Sequence, residues 1–403
     1  MTSPRVLEVL LNERPVGTIT QLPGDRSFFA LDDGYRRDPA RPTLSLSFKT
    51  IDGSVDGSRR LTRTRVPPFF SNLLPEGHLR DYLAQRGGVH PRREFFLLWL
   101  LGEDLPGAVI VRPADGNQWP PIAGHRAGDA VSDERLMRFS LAGVQLKFSA
   151  VLEADGGLTI PAKGVGGSWI LKLPSARYPA VPEMEYAMME LARAVGIEVP
   201  EVRLVGPGQL QNVPGDVAVL GPALAVRRFD RGNDARRIHI EDFAQVFGEF
   251  PARKYERASY EDIARVLWAE AGLGDVVELA RRLAFAALIG NADMHLKNWS
   301  VIYRDGRSAA LAPAYDCVAT MAYLDDPRMA LSLGETKDMY AMDLSRFAKF
   351  AARAGVPEVP VVDAVRETAE RVRSEWGRLP ALDRVSPALR HRVAEHMKRV
   401  PLG

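Results

Sequence analysis

A stretch without periodicity constrains the fold of this chain more than any other feature of its sequence. "VRPADGNQWPPIAGHRAGDA", residues 111–130, is rich in proline, glycine and charge. Such a composition is typical of a linker or a long surface loop. The chain has 403 residues, which is too many for one small core. The sequence therefore predicts two or three lobes, with the first boundary inside this stretch.

The part that precedes the stretch predicts a small sheet followed by helices. Short apolar segments lie between residues 5 and 50, separated by proline, glycine and aspartate turns. These predicted strands read "VLEVLLN", "VGTITQL", "SFFAL" and "TLSLSF". The period then becomes helical in "FFSNLLPEGHLRDYLAQRGG" and "REFFLLWLLG". The last apolar run is far shorter than the roughly 20 residues that cross a bilayer, so it predicts a buried helix.

The part that follows the stretch predicts strands, an amphipathic helix and then a helical region. The predicted strands are "RFSLAGVQLKFSAVL", "GSWILKLPS" and "DVAVLGPALAVRRFDR". Between the second and third, "PEMEYAMMELARAVG" has an apolar stripe at helical spacing, formed by Met184, Met188, Leu191 and Val195. After the last strand the pattern predicts helices to the end, apart from residues 287–320.

Composition excludes several classes of protein. Apolar residues make up 46% and charged residues 26%, so the chain is not of the disordered class. The 53 basic and 51 acidic side chains nearly cancel, so no overall field favours nucleic acid. The single cysteine, Cys317, cannot form an internal disulfide, and the first residues lack the pattern of a signal peptide. We therefore expect a cytoplasmic protein.

A polar cluster lies between two apolar runs in "ALIGNADMHLKNWSVIY", residues 287–303. Asp293 and Asn298 have the Asp-x-x-x-x-Asn spacing of a protein-kinase catalytic loop, and Asp316 follows a short apolar strand, as a later metal-binding Asp does in such enzymes. Oxygen ligands of this kind suit Mg²⁺. An Asp at this spacing could also cap a turn. The pattern favours phosphoryl transfer from ATP only if other parts of a kinase are present.

The order of the other segments favours the kinase interpretation. A kinase carries, before its catalytic loop, a loop over the phosphates, a strand lysine and a helix carboxylate that holds the lysine. Here "SLAGVQLKFS" lies between two apolar segments, Lys172 lies in "WILKLP", and Glu183 and Glu185 open the next helix. The loop contains one glycine, Gly143, so its pattern is weak as a phosphate cradle. Glu185 is equally well interpreted as a solvated first-turn carboxylate and as the partner of Lys172.

Together these segments resemble the successive blocks of the HipA toxins, serine/threonine kinases of bacterial toxin–antitoxin modules. The blocks are "RFSLAGVQLKF", "WILKLP", "EYAMMELARAVGIEVP", "LAVRRFDR", "EDFAQVFG", "LIGNADMHLKNWSV" and "LAPAYD", preceded by "RPVGTITQL", "RPTLSLSF" and "FFSNLLPEG" of the N-terminal domain. The resemblance implies an α+β, two-lobed, protein-kinase-like fold, distantly related to phosphoinositide kinases. It further implies a small β-rich N-terminal subdomain over 1–110, a linker over 111–135, a kinase N-lobe over 136–232 and a mostly helical C-lobe over 233–403.

The resemblance also implies the roles of individual residues. Asp293 would be the catalytic base, Asn298 and Asp316 the metal ligands, and Lys172 the lysine on the ATP phosphates. Ser140 would be the serine that such kinases autophosphorylate, an event that ejects the phosphate loop and silences the enzyme. The other implied ATP-binding residues are the phosphate loop Ala142, Gly143, Val144, Gln145, Leu146 and Lys147, the adenine contacts Arg227, Arg228 and Phe229, and His295, Leu296, Lys297 and Tyr315.

The implied function is an ATP- and Mg²⁺-dependent serine/threonine protein kinase that arrests growth. Its target would be a translation protein, with glutamyl-tRNA synthetase or another aminoacyl-tRNA synthetase as the first candidate. A small helix-turn-helix antitoxin dimer would dock on the N-terminal domain, and operator DNA would be bound mainly through it. Arg227, Leu146 and Met294 depart from the best-known member, which has acidic, Glu and Gly residues there, so the substrate is not carried over.

Other interpretations remain open at this point. The chain could be a pseudokinase that serves as a co-repressor scaffold, or a kinase for a small molecule or lipid. Zinc at His295 is disfavoured, because the seven histidines supply no second one at ligand spacing. We expect His295 to bond to backbone, Cys317 to fill space in the core, and the mixed-charge segment "RKYERASYED", residues 253–262, to be a solvated surface.

Overall fold

The computed structural model describes most of the chain. Its described residues are 5–50, 53–57, 61–115, 147–153, 157–160, 167–175, 177–213, 219, 221–232 and 236–402. Ser140 and the phosphate-loop positions 142–146 lie outside the described residues, as does most of the expected linker. Among the described helices, none has both the length and the apolar content needed to cross a membrane.

The N-terminal subdomain is an antiparallel sheet packed against short helices. Its elements are β1 (Arg5–Leu11), β2 (Arg14–Leu22), β3 (Arg26–Leu31), α1 (Asp33–Arg37), β4 (Thr62–Arg63), α2 (Pro68–Ser71), α3 (Gly77–Arg86), α4 (Glu94–Leu101) and β5 (Val109–Pro113). The strands pair in the order β4, β3, β2, β1, β5. Alternate residues of β1, such as Leu7 and Val9, pack in one core with Phe95 to Leu98 of α4. The predicted strands at β1 to β3 and the predicted buried helix are therefore confirmed.

Two expectations for this region are wrong. The segment "TLSLSF" is not a strand, since Leu46–Phe48 form a 3₁₀ turn that Ser45 caps through the N–H of Ser47 (3.0 Å). The Ser45 hydroxyl and the N–H of Leu46 both donate to Glu241 of the C-lobe, so the N–H of Leu46 is not available to a sheet. The expected linker also begins too early, because residues 111–113 belong to β5.

The N-lobe is a mixed sheet with one long helix. Its elements are β6 (Lys147–Leu152), β7 (Leu158–Thr159), β8 (Trp169–Lys172), α5 (Val181–Ala194), β9 (Val202–Val205), β10 (Leu210–Gln211) and β11 (Ala223–Arg227). The strands lie in the order β10, β7, β6, β8, β11, β9, so β8 with Lys172 is an inner strand. The stripe of Met184, Met188 and Leu191 on α5 is fully buried, as predicted.

The C-lobe is mostly helical and contains most of the buried core. Its elements are β12 (His239–Asp242), α6 (Phe243–Val246), α7 (Tyr260–Glu270), α8 (Leu273–Ile289), β13 (Ser300–Tyr303), β14 (Ala310–Leu311), β15 (Arg328–Leu333), β16 (Thr336–Asp338), α9 (Leu344–Ala354), α10 (Glu358–Trp376) and α11 (Pro387–Arg399). The expectation of helices outside 287–320 is wrong for β12, β15 and β16. Each of these strands is short, and β12 gains its pairing from β13, some 60 residues away.

A buried carboxylate joins the N-terminal subdomain to the C-lobe. Glu241 accepts hydrogen bonds from Ser45 Oγ (2.6 Å), the Leu46 N–H (2.9 Å) and the Tyr303 hydroxyl. Burial nevertheless raises the pKa of Glu241 to about 7. Nearby, Nε2 of His239 donates to the carbonyl of Leu44 (2.8 Å), and burial lowers the pKa of His239 to about 4.

We expect the folded protein to lose stability as the pH rises through about 7, because burial disfavours the charged form of Glu241. In the folded protein Glu241 keeps its proton up to about pH 7, whereas in the unfolded chain it loses the proton near 4.5. The stabilisation is fully present below 4.5 and is lost as the pH rises through the folded pKa. His239 has the opposite dependence, since its lowered pKa costs stability below 6.5.

The difference between wild type and Glu241→Gln isolates the carboxylate, because His239 is common to both. Urea denaturation at pH 5, 6, 7 and 8 measures the free energy of unfolding of each protein. The variant should gain stability relative to wild type as the pH rises across this range. A difference that does not change with pH would contradict the raised pKa of Glu241.

Candidate active site in the cleft between the lobes

The loop that carries the predicted base begins at the end of α8. The last turn of α8 is apolar and buried, and Gly290 ends the helix in the left-handed region, with φ = 73°. A Cβ at position 290 would lie 2.7 Å from the Cβ of Met321, so this turn requires glycine. The polar residues that follow lie between the buried end of α8 and the buried strand β13.

Asn291 holds the two acidic segments of the site together. Its Oδ1 accepts a hydrogen bond from the N–H of Asp293 (3.1 Å), and its Nδ2 donates to the carbonyl of Asp316 (3.2 Å). The side chain is 1% exposed. The loop before β13 and the segment after β14 are thus joined through one amide. Asn291 was not among the predicted site residues, although a polar residue directly after a helix-ending glycine was an available signal.

Lys172 contacts two carboxylates, one from each lobe. Its ammonium group donates to Glu185 on α5 and to Oδ1 of Asp316. Lys172 is 4% exposed and Glu185 1%, so this pair is withdrawn from water. Burial alone would lower the pKa of Lys172, but Asp316 and Glu185 outweigh it and raise the pKa above its ordinary value. The lysine is therefore protonated at neutral pH, which binding to phosphate requires.

Asp316 has a backbone conformation that few residues other than glycine adopt. Its φ of 54° is in the left-handed region. The bond from Asn291 to its carbonyl and the bond from Lys172 to its carboxylate hold both ends of the residue. Strained backbone of this kind is concentrated at functional sites, where it gives a side chain a direction that relaxed backbone does not.

Asn298 and Asp316 have the oxygen atoms that a Mg²⁺ ion prefers. The Nδ2 of Asn298 donates to the carbonyl of Asp293 (2.8 Å), so its Oδ1 is the atom left to bind a cation. The described residues contain no group of three or more His, Cys, Asp or Glu side chains suited to a metal. Two protein ligands fit Mg²⁺ bound jointly with phosphates, because this ion keeps water and phosphate ligands. They do not fit a zinc site.

Phe229 and Tyr315 face each other on the expected adenine side. Their ring centroids are 5.7 Å apart, and the Tyr315 hydroxyl donates to the carbonyl of Lys297 (2.9 Å). The Arg228 guanidinium is bonded to Asp230 (2.8 Å) and paired with Asp104 (3.3 Å) of the N-terminal subdomain. Its side chain therefore serves a contact between domains. Any contact of this segment with adenine would come from groups other than the Arg228 side chain. The guanidinium of Arg227 lies 3.7 Å from Glu201, and its side chain is 40% exposed.

The remaining predicted ATP contacts have other neighbours. The ammonium of Lys297 donates to the carbonyl of Asn72 (2.8 Å) and to Asp242 (2.9 Å), and Leu296 is fully buried. Burial lowers the pKa of His295 to about 3, so the ring is neutral. Its buried Nδ1 has no hydrogen-bond partner among the described residues, so the expected bond to backbone is not found at that atom.

Cys317 is buried beside the site. Burial raises the pKa of its thiol to about 12, so the thiolate that a nucleophile requires is not formed at neutral pH. The expected packing role agrees with this environment.

The expectation of a solvated surface at 253–262 holds for the exposed residues 253 and 255–257 and is wrong for the buried Tyr260 and Glu261, and the segment contacts the loop that carries Asp293. Tyr260 is fully buried, and its hydroxyl donates to the carbonyl of Met294 (2.9 Å). The Tyr255 hydroxyl donates to Oδ1 of Asp293 (2.6 Å), and the carbonyl of Lys254 accepts from the N–H of Leu296 (3.1 Å). Two tyrosines of this mixed-charge segment therefore contact the loop.

We expect Asn291→Ala to impair phosphoryl transfer more than it impairs folding. Loss of the amide frees Asp293 and Asp316 from each other, and a misplacement of about 1 Å can cost about 100-fold in rate. The buried groups left without partners should cost about 1–3 kcal/mol of stability. ADP release and urea denaturation measure the two effects. The matched control is Thr368→Ala, which removes a buried hydrogen bond to the carbonyl of Ala364 (2.7 Å) on α10. Equal loss of activity in both variants would contradict the role of Asn291.

Two family models match the sequence. The model described as "HipA N-terminal domain" matches residues 7–112, and the model described as "HipA-like C-terminal domain" matches residues 139–376. The second alone covers more than half of the chain.

Named relatives match over most of their length. "Putative kinase Y4dM" of Sinorhizobium fredii is 51% identical over 380 residues, which are 93% of this chain and 92% of that protein. "Putative kinase Y4mE" of the same organism is 36% identical over an alignment of 406 positions that covers 91% of this chain and 91% of that protein. "Serine/threonine-protein kinase toxin HipA" of Shewanella oneidensis is 27% identical over 372 residues, 83% of this chain and 79% of that protein.

A solved structure has the same fold. The Shewanella oneidensis toxin–antitoxin complex of HipA, HipB and operator DNA contains a chain that matches 98% of this chain and 96% of its own length, with a TM-score of 0.73 and 22% identity. The α+β, two-lobed, kinase-like architecture is thereby confirmed. The family models and the extent of the sequence matches show that this chain belongs to the HipA family of kinases.

Proposed function

We propose that this protein is an ATP- and Mg²⁺-dependent serine/threonine protein kinase that acts as the toxin of a toxin–antitoxin module. The observation that carries the proposal is the contact of Lys172 in the N-lobe with Asp316 in the C-lobe, which Asn291 joins to the loop of Asp293. This contact gathers a cation for phosphates, a carboxylate for a metal and a base. A scaffold has no need of such a buried charge pair, which costs desolvation energy.

Each residue has one task in the proposed reaction. Lys172, held by Glu185, binds the phosphates of ATP. Asp293 accepts the proton of the acceptor hydroxyl. The oxygen of that hydroxyl bonds to the γ-phosphorus of ATP, and the bond from this phosphorus to ADP breaks. Asn291 keeps the loop of Asp293 beside Asp316. Catalysis here is mostly positioning and charge stabilisation, so these contacts decide the rate.

Asn298 and Asp316 would hold the metal. When bound, Mg²⁺ neutralises charge on the phosphates and aligns them. Lys172 and Asp316 pair with each other in the structure. On binding of ATP and metal, Lys172 would contact the phosphates and Asp316 would contact the metal.

The proposed partner is a small HipB-like helix-turn-helix antitoxin, with operator DNA contacted mainly through it. Support comes from the Shewanella oneidensis structure of HipA with HipB and operator DNA, which has the same fold. The formal charge of +2 also supports a minor part for this chain in DNA contact. The proposed acceptor is a translation protein, with glutamyl-tRNA synthetase or another aminoacyl-tRNA synthetase as the first candidate, and Ser140 is the proposed autophosphorylation site.

Label transfer tests the nature of the acceptor. Wild type and Asp293→Asn are incubated with Mg²⁺ and [γ-³²P]ATP, together with purified aminoacyl-tRNA synthetases, with bacterial lysate protein or with the small-molecule fraction of that lysate. We expect label on serine or threonine of a translation protein with wild type alone. Label found only in the small-molecule fraction would replace the protein-kinase proposal, and no label in any fraction would contradict a kinase.

A further inference from the structure

The hydroxyl of Tyr255 donates a hydrogen bond to Asp293, the proposed base. Its oxygen is 2.6 Å from Oδ1 of Asp293, a distance typical of a strong hydrogen bond to a charged acceptor. Burial and the neighbouring Asp293 carboxylate raise the pKa of Tyr255, so the hydroxyl keeps its proton at neutral pH and is the donor. The roles proposed above leave this contact without an explanation.

Several contacts tie Tyr255 to the catalytic loop. Its ring meets the ring of His295 edge to face, with centroids 5.0 Å apart and planes at 78°. The ammonium of Lys254 lies 5.7 Å from the Tyr255 ring centroid and is paired with Glu76 (3.0 Å). The carbonyl of Lys254 accepts from the N–H of Leu296 (3.1 Å). The segment is therefore bonded to the loop through backbone as well as side chains, although Tyr255 is 44% exposed.

The backbone around Asp293 is fixed by other residues. Asn291 accepts from its N–H, and its carbonyl accepts from Asn298 (2.8 Å) and from the N–H of His295 (2.8 Å). These bonds set the position of the Cα atom. They do not set the rotation of the carboxylate, which a donor beyond the backbone has to fix.

We infer that Tyr255 is a positioning residue for Asp293. The Tyr255 hydroxyl holds Oδ1 of Asp293 and thereby directs the second carboxylate oxygen toward the acceptor hydroxyl. This inference rests on the proposed function, because it requires Asp293 to be the base. The competing role for Tyr255 is that of a gate, whose side chain moves away from Asp293 when substrate binds. The bonds of Lys254 and the ring contact with His295 favour a fixed tyrosine, since they move the phenol with the loop.

Tyr255→Phe tests the inference, because it removes the hydroxyl and keeps the ring. Phosphate incorporation into the full-length protein is followed in single turnovers with Mg²⁺ and [γ-³²P]ATP at rising ATP concentration. We expect the maximal rate to fall about tenfold, the scale of one lost hydrogen bond, with half-saturating ATP and thermal midpoint unchanged. The matched control is Tyr340→Phe, which removes a hydroxyl 3.3 Å from Nδ1 of His396 elsewhere in the same lobe. It should transfer phosphate at the wild-type rate.

A double variant separates positioning from a general structural effect. If Tyr255 acts through Asp293, adding Tyr255→Phe to Asp293→Asn should not lower the residual rate further. A further tenfold loss in that background would overturn the inference, and so would a wild-type rate in the single variant. A faster single variant would identify a gate instead, and phosphate mapped to Tyr255 would identify an acceptor. No transfer by wild type would reject the proposed function itself, and the inference with it.

Discussion

Asp293→Asn is expected to lower the rate of phosphoryl transfer by about 10²–10⁴-fold, the range typical of a lost general base. The asparagine has the same shape and can still accept the hydrogen bond of Tyr255. The backbone bonds to Asn291 and Asn298 do not depend on the side chain. Nucleotide binding and the thermal midpoint should therefore stay unchanged. ADP release at saturating Mg-ATP measures the rate, and equilibrium binding of ADP measures the affinity.

The control for this substitution is an exposed carboxylate on another helix of the same lobe. Asp363 on α10 is exposed and pairs with Arg366 (2.8 Å). Asp363→Asn should retain the wild-type rate. If Asp293→Asn also retained it while binding nucleotide normally, Asp293 would not be the base, and the proposed mechanism would fail.

Lys172→Met is expected to lower the stability of the protein more than any of the other substitutions. It removes the ammonium group that neutralises the carboxylate of Glu185, which is 1% exposed. Removing one member of a buried ion pair costs about 3–5 kcal/mol. Affinity for ATP should fall by at least about tenfold, because the cation for the phosphates is lost. Urea denaturation and calorimetric titration with ATP measure these effects.

A second substitution separates the two effects of losing Lys172. In Lys172→Met with Glu185→Leu, the more deeply buried of the two carboxylates that pair with Lys172 is also removed, so most of the lost stability should return. Phosphoryl transfer should not return. The surface control is Lys349→Met, whose exposed pair with Glu335 should contribute little to stability. If Lys172→Met were as stable as wild type, Lys172 and Glu185 would not form a buried pair.

The sequence predicted those parts of the fold in which local pattern and burial agree. The alternation of β1 to β3, the apolar run of α4 and the stripe of α5 each mark one buried face. The segment "TLSLSF" also alternates, but its donors bond to Glu241, almost 200 residues away. The strand β16, "TKD", has no apolar residue and exists through its pairing with β15. Contacts of this range leave no trace in a short window of sequence.

The same distinction applies to the candidate site. Asp293 and Asn298 could be predicted from the sequence because their spacing reflects the loop that carries them, and Asp316 because it follows a short apolar strand. Asn291 was missed because its two bonds reach residues on both sides of a hairpin. Tyr255 was missed because its partner lies 38 positions away and the surrounding charges are typical of a solvated surface. A spacing motif thus indicates candidate reacting groups, whereas the residues that contact them are set by tertiary structure.

Phosphopeptide mapping with intact mass is the measurement that tests the central claim most directly. Wild type and Asp293→Asn are each incubated with Mg-ATP, and the phosphate is located by peptide. We predict one phosphate on Ser140 in wild type and none in the variant, which would establish a working protein kinase and its base. If both proteins bind nucleotide and neither gains phosphate, the chain is not the autophosphorylating kinase proposed above.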